Sequence, residues 1–82
     1  MPTKETFLQL STVQQMVLVM EKGYALLVRK ENPLNIKLFE LNGFYVEVKY
    51  HFIENKIVSI ELVNLEDVTD DYLADIQIDN LF

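Results

Sequence analysis

The chain has 82 residues, of which 50% are apolar and 24% are charged. This balance is typical of one small globular domain and argues against a disordered segment. Acidic residues number 13 and basic residues 7, so the net charge is −6 with the single histidine neutral. That charge excludes a general nucleic-acid binder and disfavours docking on anionic membranes. The lack of cysteine excludes disulfides, thiolate metal sites and thiol nucleophiles.

The start of the sequence does not have the pattern of a secretion signal. Glu5 lies where the basic region of a signal peptide would be, and no small-residue cleavage site follows. The apolar run Met16–Met20 is much shorter than the roughly 20 residues that a membrane-spanning helix needs. We therefore expect a cytoplasmic protein with one domain over residues 1–82.

The first predicted element is a helix. Apolar residues recur at three- and four-residue spacing between Phe7 and Met20, which lines one side of a helix. Ser11 and Gln14 have the spacing of a capping box, and Thr3 is a second candidate N-cap. The helix is therefore expected to begin at one of these two residues.

The end of this helix is predicted at Lys22, because Gly23 follows and glycine readily adopts the left-handed conformation of a C-terminal cap. Apolar residues occupy more than one side of the helix. Met16, Val17 and Met20 are therefore expected to belong to the hydrophobic core.

Four strands separated by turn signals follow the helix. Their predicted bounds are Tyr24–Lys30, Leu34–Leu41, Phe44–Phe52 and Lys56–Val63. Short connections favour antiparallel neighbours, so the strands are predicted to form a meander in chain order.

The turn at Asn42-Gly43 allows two registers of the central hairpin. A loop of three residues, which includes the one before Asn42, places Lys37 opposite Glu47. A two-residue loop places Leu38 opposite Glu47 instead. Because opposite charges stabilise a pair of strands, we predict the three-residue loop.

The last hairpin also has two possible registers. With Asn55 in the left-handed conformation, Val48 pairs with Ile60. A slip of two residues pairs Lys49 with Glu61 but gives a poorer turn. The sequence leaves this choice open.

Alternation along the strands predicts that even-numbered side chains share one face beneath the helix, among them Ile36, Leu38, Val46, Val48 and Ile60. The opposite, outer face is mixed, and its apolar members are Leu27, Phe39, Tyr45, Ile57 and Val63. Half-apolar surfaces with aromatic residues are typical of protein interfaces. We expect this face to bind a second copy or another protein, or to be covered by the C-terminal segment.

The C-terminal segment has the pattern of a short acidic helix. Thr69 or Asp70 is the expected N-cap, and the apolar side carries Tyr72, Leu73 and Ile76. Beyond it, the apolar tail residues are Ile78, Leu81 and Phe82. An apolar end is expected to pack on this domain's own sheet or on a second subunit.

The whole surplus of negative charge lies in residues 66–82, which have six acidic and no basic residues. The candidate acidic patch consists of Asp67, Asp70, Asp71 and Asp75. Such a patch is typical of a solvated helix face, and it can also dock on a basic partner. The patch lacks the loop glycine and the alternate ligand spacing of an EF-hand, so we expect neither a metal nor a cofactor.

His51 is the one candidate for acid–base chemistry. Glu47 and Lys49 lie at two-residue steps from it along the same strand, so a Glu–His pair is conceivable. An enzyme or small-ligand site would use His51, Glu47 and Tyr45. Neither a serine nor a cysteine nucleophile lies nearby, so no catalytic triad is indicated. The chain is therefore predicted not to be an enzyme.

The stretch 42–63 and the later segment 72–76 resemble small bacterial proteins of unassigned function. This resemblance includes no active-site motif and implies no activity.

The sequence as a whole predicts an α+β fold, with an N-terminal helix on a four-stranded antiparallel meander and a short acidic C-terminal helix. The predicted function is a non-enzymatic protein-interaction module that forms a homodimer through its outer sheet face, with no nucleic-acid or membrane partner. The alternative is an acidic inhibitor or mimic whose C-terminal segment docks on a basic partner.

Overall fold

The computed structural model describes residues 3–75 of the chain, and for residues 73–75 it describes the backbone alone. The helices of this part are α1 (Lys4–Leu8), α2 (Thr12–Lys22) and α3 (Leu65–Asp75). The strands are β1 (Tyr24–Glu31), β2 (Leu34–Leu41), β3 (Phe44–His51) and β4 (Lys56–Val63). They form one antiparallel sheet in the order β1-β2-β3-β4. The predicted α+β fold and meander are therefore confirmed.

Both candidate N-caps are used, because the single predicted helix is in fact two helices. The Thr3 hydroxyl accepts a hydrogen bond from the N–H of Thr6 at 3.2 Å and begins α1. The Ser11 hydroxyl accepts one from the N–H of Gln14 at 3.2 Å and begins α2. Each pair is a full capping box, which satisfies N–H groups that the helix itself leaves unbonded.

The end of α2 at Gly23 differs from the prediction. Gly23 has φ −75° and ψ 153°, an extended conformation and not a left-handed one. Glycine is required here because a Cβ atom would lie 2.5 Å from the carbonyl oxygen of Val19. Its N–H donates to that same oxygen at 2.8 Å. A close backbone approach, not a positive φ, therefore explains this glycine.

The predicted register of the β2–β3 hairpin is wrong. Asn42 and Gly43 have φ of 49° and 88°, as in a two-residue type I′ turn. Leu38 therefore lies opposite Glu47, and Lys37 lies opposite Val48. The twist of a type I′ turn matches that of the strands it joins. The two-residue turn therefore stabilises the hairpin more than the Lys37–Glu47 charge pair of the longer loop would.

The change of register also corrects the predicted faces of the sheet. A shift of one residue turns every side chain of a strand to the other face. Ile36 and Leu38 therefore lie on the face covered by α3, whereas Val46 and Val48 lie beneath the N-terminal helices. The even-numbered residues do not share one face, and each face of the sheet has its own helical cover.

The hydrophobic core accordingly has two parts, one on each face. Buried residues beneath α1 and α2 are Phe7, Val19, Phe39, Leu41, Phe44, Val46 and Val48. Buried residues between α3 and the sheet are Ile36, Leu38, Val68 and Tyr72. The strands thus form the middle of three layers.

The β3–β4 hairpin has the first of its two predicted registers. Asn55 has φ 59°, and Val48 pairs with Ile60. Lys49 pairs with Ser59, and a bulge at Val58 separates this part of the ladder from the turn. The poorer turn of the slipped register explains why it is not adopted.

Helix α3 begins four residues before the predicted N-cap Thr69. Asn64 precedes the helix, and its side-chain amide donates a hydrogen bond to the Asp67 carboxylate at 3.2 Å. Thr69 lies inside the helix, where its hydroxyl donates to the carbonyl of Leu65. Asp70 is likewise an interior helical residue.

Some predictions concern residues that the structure does not describe. Ile76 and the tail residues Ile78, Leu81 and Phe82 lie outside the described range, and so does the side chain of Leu73. The expected packing of the apolar tail therefore stays a prediction.

Candidate functional site

A buried polar cluster joins α3 to the sheet. Glu47 is 4% exposed, and its carboxylate accepts a hydrogen bond from the Tyr72 hydroxyl at 3.1 Å. Nη2 of Arg29 lies 3.7 Å from the same carboxylate oxygen. The Arg29 guanidinium lies 5.3 Å from the centre of the Tyr72 ring and hydrogen-bonds Glu31. Three side chains from three elements thus meet under α3.

The pKa shifts of Tyr72 and Arg29 indicate that this cluster has a structural role. Burial raises the pKa of the Tyr72 phenol, and the charge of Glu47 and the hydrogen bond to it raise that pKa further. Burial lowers the pKa of Arg29, but its hydrogen bond to Glu31 and the charge of Glu47 outweigh this effect and raise it overall. Both groups keep their protons at neutral pH, so neither is suited to act as a base there.

The five candidate interface residues do not share a face. Leu27, Tyr45 and Val63 pack against the cluster beneath α3. Phe39 and Ile57 belong to the core on the α2 side, because the register of the hairpins turns them that way. The C-terminal helix α3 covers the first three of these residues, so the prediction that the C-terminal segment folds over the outer face is right for them and wrong for Phe39 and Ile57. Binding through these residues stays a prediction.

The candidate acidic patch lies on the solvent side of α3. Asp67, Asp70 and Asp71 are exposed, and the side chain of Asp75 is not described. Among the residues that the structure describes, no three histidine, aspartate or glutamate side chains are placed to hold a metal ion together.

His51 contacts a different acid from the one considered. Its Nδ1 accepts a hydrogen bond from the backbone N–H of Glu54 at 3.0 Å, and its Nε2 lies 3.8 Å from the Glu54 carboxylate. Glu47 is bonded to Tyr72 instead. The structure therefore does not form the Glu47–His51 acid–base pair, and His51 closes the turn after β3.

An exposed apolar surface that was not predicted lies on α2. Val13, Val17 and Met20 are 73%, 50% and 67% exposed, although Val17 and Met20 were expected in the core. Their spacing of four and three residues places them along one side of the helix. We call these three residues the α2 ridge. The side of α2 that meets the sheet carries the fully buried Val19.

Two apolar recesses border the α2 ridge. One has a volume of about 430 Å³ and is lined by Met16, Tyr50 and Ile57 together with the ridge residues Val13 and Val17. The other has about 320 Å³ and includes Leu10 and Leu18. The ridge and its recesses form a largely apolar surface, with Lys56 at the edge of the first recess and Glu21 at the edge of the second. The sequence signal for it was present, since α2 is apolar over more than the width that one sheet face covers.

None of the helices in the described range is long and apolar enough to cross a membrane. Comparisons with models of protein families, with curated proteins and with solved structures find no match. The function must therefore be inferred from the surfaces and cavities of this chain.

Proposed function

We propose that this chain is a non-enzymatic protein-interaction module that forms a homodimer through the α2 ridge. The observation that carries the proposal is the exposure of Val13, Val17 and Met20, which is at least half for each side chain. Helices commonly bind a partner surface through apolar side chains at this spacing along one side. Isolated exposed apolar residues are common, but a contiguous row is a feature of interaction sites.

The shape of this surface suits a second copy of the same chain. A two-fold dimer needs one patch that is complementary to itself, so that a ridge of one copy enters a groove of the other. The α2 ridge lies directly beside the recess that includes Met16 and Ile57. Two antiparallel α2 helices could each insert Val17 into the recess of the partner. The recesses add area that three side chains alone would not supply.

The distribution of charge also supports self-association. Five of the six surplus acids lie on α3, which packs on the opposite face of the sheet from α2. Layers of secondary structure pack about 10 Å apart, so the sheet separates the α2 ridge from these acids by more than the Debye length of about 8 Å. Two acidic copies can therefore meet at α2 without strong repulsion.

Sedimentation equilibrium over a range of concentrations tests this proposal. The expected result for the unaltered chain is a reversible increase in mass to twice the 9.6 kDa of one chain. Val17→Glu is expected to weaken dimerisation at least tenfold, because a carboxylate would be desolvated at the contact.

Tyr24→Glu is the matched control, since Tyr24 is 73% exposed but lies on the α3 side of the sheet, opposite Glu40. It should dimerise as the unaltered chain does. A chain that stays monomeric at millimolar concentration would contradict the proposal, and so would a Val17→Glu variant that dimerises normally.

The second candidate function is an acidic inhibitor or mimic, which the exposed Asp67, Asp70 and Asp71 on α3 favour. A basic partner bound in this way should lose affinity steeply with added salt. Replacing these three aspartates by asparagine should abolish that salt dependence. Binding to a basic partner that survives both high salt and the replacements would count against this function.

A further inference from the structure

A third cavity lies between α2 and the sheet. It adjoins the proposed dimer surface, with which it shares Met16, Met20, Tyr50 and Ile57, and it extends beyond that surface to Asn35, Lys37, Phe39 and Val48. Its volume is about 380 Å³, within the range of small-molecule pockets. Phe39 and Val48, both buried, form its floor, and Met16 and Met20 of α2 form its wall. The cavity is open to solvent on the side where Met20 and Lys37 are exposed, so a ligand can enter it. Methionine walls adapt readily to a ligand.

Asn35 is one of the residues that line this cavity, and it brings a side-chain amide to a largely apolar wall. Its Oδ1 is buried and has no hydrogen-bond partner among the described residues. Buried polar groups are nearly always hydrogen-bonded, and each exception needs an explanation. A side-chain amide can both accept and donate, so a hydroxyl group is a suitable partner.

Lys37 is the one charged residue among those that line the cavity. The type I′ turn places Val48 opposite it and turns Glu47 to the other face of the sheet. No acidic residue in the described part of the chain forms an ion pair with Lys37. An ammonium group beside an apolar cavity favours an anion at the mouth.

From these observations we infer that the cavity binds a medium-chain carboxylate with a hydroxyl group near its carboxyl end. The aliphatic chain would lie against Met16, Phe39 and Val48, and the carboxylate would meet the ammonium group of Lys37. Asn35 and Lys37 are two residues apart on one face of β2, which separates their Cα atoms by about 7 Å. The hydroxyl would therefore lie within a few bonds of the carboxylate and would bond Asn35.

Calorimetric titration of the full chain with 3-hydroxydecanoate tests this inference, with decanoate and decylamine as comparison probes. We expect saturable binding of one 3-hydroxydecanoate per chain. Decanoate should bind about fivefold more weakly, because it leaves Asn35 unbonded. Decylamine should bind still more weakly, because its charge repels that of Lys37.

Three variants locate the site. Lys37→Met should lower the affinity for 3-hydroxydecanoate about tenfold, the effect of losing one charged hydrogen bond. Asn35→Ala should remove the preference for the hydroxylated acid. Lys49→Met is the matched control, because Lys49 lies opposite Ile36 on the α3 side of the sheet and its loss should leave the affinity unchanged.

Val17→Glu keeps this inference distinct from the proposed dimer, because Val17 does not line this cavity. The affinity should persist in that variant. Its loss there would overturn the assignment of the site to a single chain. The inference would also be overturned by an absence of saturable binding, by equal affinity for decylamine, or by a Lys37→Met variant that binds like the unaltered chain.

Discussion

The Tyr72 hydroxyl donates a hydrogen bond to the Glu47 carboxylate at 3.1 Å, and both residues are almost fully buried. A residue of α3 thereby satisfies a carboxylate that β3 places inside the protein. Breaking one side of a buried polar contact leaves the other side unsatisfied, which destabilises a fold more than the loss of an exposed contact. This contact therefore adds to the apolar packing of Val68 and Tyr72 that holds α3 on the sheet.

Tyr72→Phe is expected to lower the free energy of unfolding by about 2 kcal/mol. The ring still fills its place, but Glu47 loses the donor that faces it. Urea denaturation at neutral pH measures the change. Tyr24→Phe is the control, because Tyr24 is 73% exposed and its replacement should change the stability very little. Equal stabilities of the Tyr72→Phe variant and the unaltered chain would contradict the role given to this hydrogen bond.

The raised pKa of Tyr72 predicts a loss of stability in alkaline solution. Below the ordinary tyrosine pKa of about 10, the phenol is neutral in both states and the stabilisation is complete. Above that pH the unfolded chain releases the proton while the folded chain retains it. The free energy of unfolding should then fall by up to about 1.4 kcal/mol per pH unit.

Urea denaturation between neutral pH and pH about 11 measures this slope. Tyr72→Phe should have a shallower slope than the unaltered chain, since the other tyrosines are common to both proteins. Parallel curves for the two proteins would show that Tyr72 is not the group responsible.

The register of the central hairpin can be tested by engineered disulfides, because the chain has no cysteine of its own. Lys37→Cys combined with Val48→Cys should form an intramolecular disulfide on oxidation, since the two residues are cross-strand partners. Lys37→Cys combined with Glu47→Cys is the matched control. It should keep two free thiols, because its side chains point to opposite faces of the sheet. Mass spectrometry after thiol labelling distinguishes the two outcomes, and a disulfide in the control alone would support the three-residue loop instead.

The two glycines should respond differently to substitution. Gly43 has φ 88° and nothing within 4 Å of an added Cβ, so Gly43→Ala should cost about 1 kcal/mol of stability through backbone strain. Gly43→Asn should cost less, since asparagine tolerates positive φ. Gly23→Ala should cost about 2 kcal/mol through the contact with the Val19 carbonyl.

Gly23→Asn should be at least as destabilising as Gly23→Ala, because the Val19 carbonyl lies too close for any Cβ atom. Thermal denaturation of the four variants gives the comparison. A gain in stability from alanine to asparagine at position 23 would contradict the proposed cause.

The candidate sites were less predictable than the fold. The acidic character of α3 was visible in the sequence, but Val17 and Met20 were expected in the core. The spacing of apolar residues along α2 shows which of them share a side, and it does not show how many sides the sheet covers. The same limit applies to Lys37, because its place beside a cavity depends on the strand opposite it.

What the sequence determined by itself is local. Thr3 and Ser11 each begin a helix, and Asn42 and Asn55 each form part of a turn, since side-chain capping and backbone conformation act over a few residues. Only the tertiary structure decided which face each strand residue occupies. Alternation identifies a buried face only when the other face is polar, and in β2 both Leu38 and Phe39 are buried, one under each helical layer. Because apolar residues occupy both odd- and even-numbered positions of β2, their pattern does not fix the register. The register is fixed by the pairing of whole strands and by the helices that pack on each face.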